Sequence, residues 1–95
     1  MNIFFNEMEM FDCTFEIEVE QKKQTQTINA PRFVIEQQFR AYIQEASRSN
    51  EPIRIKLYRK VPIYDNFDNK WIEREVSITF ENKSYEAKNR GGTSG

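Results

Sequence analysis

Histidine is absent from the chain and cysteine occurs once. Without an imidazole there is no Ser-His or Cys-His nucleophile pair, no His metal ligand, and no side chain whose ordinary charge change falls near neutral pH. One cysteine cannot close an intramolecular disulfide or build a Cys-only zinc site. Neither charge sign is in excess: 14 Lys and Arg stand against 15 Asp and Glu, a net of −1. Domains that hold duplex DNA by charge alone are strongly basic, and this chain is not. The longest apolar runs fall far short of the roughly 18 residues of a membrane span. Residues 1–10, MNIFFNEMEM, carry acids and no base, which excludes a signal peptide for that stretch. A lone thiol without an export signal makes the expected location cytoplasmic. G-x-G-x-x-G, P-loop, G-x-S-x-G and zinc spacings are all missing, so no cofactor and no metal are expected.

What remains is 95 residues, enough for one small domain. Apolar residues make up 38% and aromatics 14%, with eight Phe, four Tyr and one Trp. Aromatic side chains bury large areas, so a true core is within reach at this size. Gly91–Gly95 (GGTSG) reads as a linker or an appended tail, which leaves a single domain over residues 1–90. Within it, residues 1–10 form an N-terminal arm, or a short extra strand at Ile3–Phe5.

Phe11, Cys13, Phe15, Ile17 and Val19 alternate with Asp12, Thr14, Glu16, Glu18 and Glu20, the period of a half-buried strand. Gln21–Gln24 is expected to turn and Thr25–Ile28 to return, setting Ile17 opposite Ile28, Glu18 opposite Thr27 and Glu20 opposite Thr25. Asn29 is the expected helix N-cap, with Pro31 in the first turn. Ile35, Phe39, Tyr42, Ile43 and Ala46 then recur at helical spacing, with Phe33 flanking the stripe. Pro52 lies just past the helix end.

The last third reads as a long hairpin turning at Asp65–Lys70. One register pairs Ile63 with Ile72, Leu57 with Ile78 and Ile55 with Phe80. It also pairs Lys60 with Glu75 and Arg54 with Glu81, and a slip of one residue would destroy both sets. Arg59 and Arg74 interrupt the apolar face where the sheet should outrun the helix. Residues 82–90 are expected to fray. The fold expected is α+β in the order β-β-α-β-β: a four-stranded antiparallel sheet, one face under one helix and the other face wet.

Candidate chemistry is sparse. Cys13 sits among acids on the apolar side of its strand, a core thiol rather than a thiolate. Glu16, Glu18 and Glu20 line one strand face; they form either a solvated charge ladder or an acidic surface able to imitate phosphates. Asp65-Asn66-Phe67-Asp68-Asn69 lacks the glycine and distal glutamate of an EF-hand loop. Arg54, Lys56, Tyr58 and Lys60 form a basic, aromatic-bearing stripe of the kind single-strand binders use. Pairing with Glu73, Glu75 and Glu81 is the competing account of it. At the hairpin tip the register sets Tyr64 opposite Trp71, with Phe67 at the apex and Lys60 and Lys70 near. Exposed Phe and Trp together suggest a binding hot spot. The alternatives are a simple cross-strand clamp, or a cover formed by Phe4 and Phe5 of the arm.

These features lead to a non-enzymatic protein-binding module using Tyr58, Tyr64, Phe67, Trp71, Lys60 and Lys70. In size and charge texture, though in no motif, such a chain resembles the small accessory proteins of phages and other mobile elements, anti-CRISPR proteins among them. That resemblance implies a partner that handles nucleic acid in a host and is inhibited or redirected. The alternatives are a single-stranded nucleic-acid binder and a self-assembling protein such as a homodimer. A carboxylate hydrolase has only the number of acids behind it.

Overall fold

The computed structural model describes residues 9–94, and side chains as far as Lys88. Four strands and two helices follow one another as β1 (Met10–Val19), β2 (Lys22–Pro31), α1 (Arg32–Arg48), β3 (Ile53–Asp65), β4 (Lys70–Glu81) and α2 (Lys83–Ser94). The strands form one antiparallel sheet in the order β2-β1-β3-β4. The class is α+β. The N-terminal arm and the short strand at Ile3–Phe5 lie outside the described residues.

The β3–β4 register is the expected one, with Ile63 opposite Ile72, Leu57 opposite Ile78, Lys60 opposite Glu75 and Arg54 opposite Glu81. The β1–β2 hairpin differs. Cys13, not Ile17, faces Ile28; Ile17 faces Gln24 and Glu18 faces Lys23. The turn is two residues long, with Glu20 at φ 49° and Gln21 at φ 75°. Positive φ at both central positions is what the tightest hairpin turn requires. Lys22, Lys23 and Gln24 therefore belong to β2, and Glu20 sits in the turn rather than on the strand face. The slide is an even number of residues, so every side chain keeps its expected face.

Asn29 does not cap the helix. Its Nδ2 donates to Asp12 Oδ1 across the β1–β2 pair at 2.6 Å, and strand pairing continues to Met10–Pro31. Pro31, at φ −64° and without a side-chain cap, is the helix N-cap instead. Beneath α1 lies the core. Phe15, fully buried, meets Tyr42 edge-on at 5.1 Å and Phe39 at 6.3 Å between ring centroids. Cys13, Ala30 and Ile35 complete the buried cluster, with Phe11, Ile28 and Leu57 against it. Phe33, expected beside the stripe, is exposed. Tyr42 also donates its hydroxyl to Gln26 Oε1 at 2.8 Å, tying the helix to β2.

Residues 82–90 do not fray; Lys83 opens α2, which runs into the stretch read as a tail. Asn82 is the reason. At 3% exposure, its Oδ1 accepts the amides of Ile53 at 3.1 Å and Tyr85 at 2.9 Å. Its Nδ2 donates to the carbonyls of Ala46 and Glu51, both at 2.8 Å. Its main chain adds an amide to the Ile53 carbonyl and a carbonyl to the Glu86 amide, each 3.1 Å. One carboxamide thus caps α2 and satisfies groups at the end of α1 and the start of β3. No buried side-chain polar atom is left without a partner among the described residues.

Replacing this carboxamide strands several backbone groups at once. Asn82→Ala is expected to lower unfolding free energy by at least about 2 kcal/mol in urea melts, since each unsatisfied buried group costs ~1–3 kcal/mol. Asn29→Ala, which removes one exposed bond, should cost under about 1 kcal/mol. Equal effects would refute the assigned role. The Cys13 thiol gives a second expectation. Burial pushes it up, against the downward pull of Arg59. The folded state therefore holds the proton more tightly. The linked stability is present below the ordinary thiol range and is lost as pH rises through the raised value. Iodoacetamide should label Cys13 slowly in the native protein and fast in denaturant.

Candidate functional site

Strand length decides where the candidate site sits. β1 pairs with β3 only from Thr14–Tyr58 to Val19–Ile53, whereas β3 and β4 stay paired out to Asp65–Lys70. From Arg59 onward the hairpin is, among the described residues, a two-stranded ribbon. It carries Pro62 in the stretch that β1 does not flank, where a strand tolerates a residue with no amide donor. At its root Arg59 Cζ lies 4.4 Å from the centre of the Phe11 ring, so the cation on the apolar face is held on an aromatic at the point where β1 and β3 part.

At the far end Tyr64 and Trp71 meet edge-on, with ring centroids 5.4 Å apart. The four residues beyond them, 66–69, form the turn. Phe67 donates its amide to Asp65 Oδ1 at 2.9 Å, and Asn69 takes φ 52°, a conformation that asparagine tolerates well. Phe67 is 97% exposed and Trp71 69%. The ring at the apex is held outward by a loop of defined hydrogen bonding.

The structure brings together Tyr64, Phe67, Trp71 and Lys70, the last opposite Asp65. It does not bring Tyr58 to them: six residues at about 3.3 Å each place it ~20 Å back along β3. Tyr58 instead receives the Lys56 ammonium, 5.1 Å from its ring centre. Lys60 is exposed between the two.

Two of the bases on the polar face are ion-paired. Arg54 Nη2 bonds Glu18 Oε1 at 2.7 Å, and Arg54 Cζ lies 5.7 Å from the centre of the Tyr85 ring. Lys56 Nζ reaches Glu75 Oε2 at 3.3 Å, the acid that faces Lys60 in the register. Glu16 faces Lys56 across β1–β3. Glu20 is displaced into the turn, so Glu16, Glu18 and Glu20 do not form a continuous row. Tyr85 of α2 also lies against this face, which is not wholly wet. No group of three or more His, Cys, Asp or Glu able to hold a metal occurs among the described residues. No helix among them is long and apolar enough to cross a membrane.

One surface was not foreseen. A single helix, ~10 Å across, spans about two to three strands spaced ~4.8 Å apart. On the side of the sheet that α1 covers, Val76 and Ile78 of β4 stay 44% and 56% exposed. Between them and the helix run two adjoining clefts of about 310 and 260 Å³ that share Cys13, Leu57 and Arg59. The signal was available: three apolar strands already match the width of one helix. No protein-family model, curated protein or solved structure matches the chain.

The lone tryptophan reports on the tip. Its emission is expected near that of indole in water and open to acrylamide quenching. A blue-shifted, protected emission would show the ring covered. Tyr64→Ala should destabilise the fold by less than about 1 kcal/mol, the range of cross-strand pairs.

Proposed function

We propose that this chain is a non-enzymatic protein-binding module whose contact element is the tip of the β3–β4 ribbon. The observation that carries this reading is the exposure of two large aromatics at one hairpin end, Phe67 on a turn held by Asp65 and Trp71 on the strand that leaves it. Large aromatics presented on an ordered turn lose little freedom on binding and dominate contact energetics. Phe67 would enter an apolar pocket of the partner, with Tyr64 and Trp71 on its rim and Lys70 beside them. Its size and charge texture resemble those of phage and mobile-element accessory proteins. A host protein that handles nucleic acid is therefore the first partner class to test, with inhibition or redirection as the effect.

The nucleic-acid reading is weaker on specific grounds. Arg54 and Lys56, the centre of the basic stripe, are engaged by Glu18 and Glu75, and Tyr58 lies under Lys56. A strand of phosphates would have to displace both acids.

Crosslinking and affinity capture from host lysate, followed by titration of the captured protein, tests the proposal. Phe67→Ala and Trp71→Ala are each expected to weaken binding about tenfold or more, the equivalent of ~1.4 kcal/mol. Arg54→Ala should change it little. Undiminished capture by both tip variants would remove the tip from the mechanism. Binding of single-stranded oligonucleotides at low salt, falling steeply as salt is added, would favour the other reading.

A further inference from the structure

Among the described residues, the strand order leaves β2 and β4 as the sheet edges. Edge strands offer unpaired backbone groups to other chains unless something blunts them. The two edges differ. β2 opens with Lys22 and Lys23 and ends at Pro31, residues that discourage pairing, and its uncharged middle, Gln24–Ala30, exposes no large apolar side chain. β4 carries the uncharged, strand-forming run Val76-Ser77-Ile78-Thr79-Phe80. On that run Val76 and Ile78 remain exposed on the same side of the sheet as the core.

We propose that a second copy of this chain pairs with β4, antiparallel and about a two-fold axis at Val76, joining two four-stranded sheets into one of eight. Side-chain faces and charge select this register among its neighbours. An offset by one residue would set the apolar face of one copy against the polar face of the other. Among the offsets that keep the faces, an axis at Glu75 puts that acid opposite itself. An axis at Arg74 sets Glu73 against Glu75. Axes at Ser77 and Ile78 set Glu81 against Glu73 and against Glu75 respectively. With the axis at Val76, Arg74 faces Ile78, Ile72 faces Phe80, Glu75 faces Ser77, Glu73 faces Thr79 and Trp71 faces Glu81, with no like charges opposed. The two Glu75 side chains are diagonal neighbours, each already on its own Lys56.

The pairing resolves two features at once. Each ribbon, two-stranded and marginal by itself, gains the partner's β4 as a third strand along its flank. Val76 and Ile78 gain apolar neighbours on the face that α1 leaves open. The tips point to opposite ends: Phe67 lies beyond the paired run, and only Trp71, at its last rung, borders the second copy.

Sedimentation across concentration is expected to give a species of twice the 11.4 kDa chain mass. In a Cys13→Ala background, Val76→Cys should oxidise to a covalent dimer, because opposed residues sit within ~5.5 Å, inside disulfide reach. Phe80→Cys, four residues from the axis, should not. Ile78→Lys places a cation opposite Arg74 and should dissociate the dimer; adding Arg74→Glu should restore it. Circular dichroism of each variant separates dissociation from unfolding. A wild-type monomer at every concentration would overturn the proposal. So would a dimer that survives folded Ile78→Lys, or one in which Val76→Cys fails to crosslink.

Discussion

The carboxamide of Asn82 joins two stretches of chain that are far apart in sequence: its own, at the first turn of α2, and the stretch that runs from the last turn of α1 through Glu51 to the first residue of β3. All its donors and acceptors are used, in a place sealed from water. α1 has neither a side-chain cap nor an acidic first turn at its start, so its placement comes from Phe15 beneath it and from this anchor at its end. β3 begins where Asn82 accepts the Ile53 amide, which sets where the long hairpin starts. The rest of the hairpin follows from that origin by pairing.

A second constraint is width. One helix and four strands do not match, and the mismatch falls entirely on β4. β1, β2 and β3 supply the buried cluster under α1, while β4 keeps Val76 and Ile78 exposed and, among the described residues, has an unpaired edge. On the opposite side of the sheet, mismatch is avoided by charge. Acids of β1 and β4 flank the bases of β3, and two ion pairs, Arg54 with Glu18 and Lys56 with Glu75, close across the strands.

The β3–β4 hairpin was legible because two independent patterns, apolar on one face and opposite charges on the other, agree on a single register. Its tip was legible for the same reason, since the pairing that places Ile63 on Ile72 also places Tyr64 on Trp71. The β1–β2 register was not. Glu20 and Gln21 adopt left-handed geometry without a glycine or asparagine to signal it, and Lys22–Gln24 look like a turn by polarity alone. Asn29 has the chemistry of a cap but spends its side chain on Asp12, a contact across strands that no local pattern reveals. Asn82 precedes helix-forming Glu86, Ala87 and Lys88, yet Tyr85 stands where a capping glutamate would have marked the motif. The nearby glycines also weaken the helix pattern. Its role depends on Ala46, Glu51 and Ile53, which only the fold brings near.

The ribbon has a mechanical consequence. Beyond the rung formed by Thr14 and Tyr58, β3 pairs, among the described residues, with β4 only, and Phe11 of β1 reaches no farther than Arg59. A pull that separates its two strands at Phe67 loads the rungs singly, beginning at Asp65–Lys70, so resistance is low and opening proceeds step by step. At Tyr58 the geometry changes, because β3 is then gripped from both sides and further extension must shear it past β1. The molecule is built as a compliant arm on a stiff base. Strain delivered to the tip would dissipate in the arm before it reached the packing around Phe15.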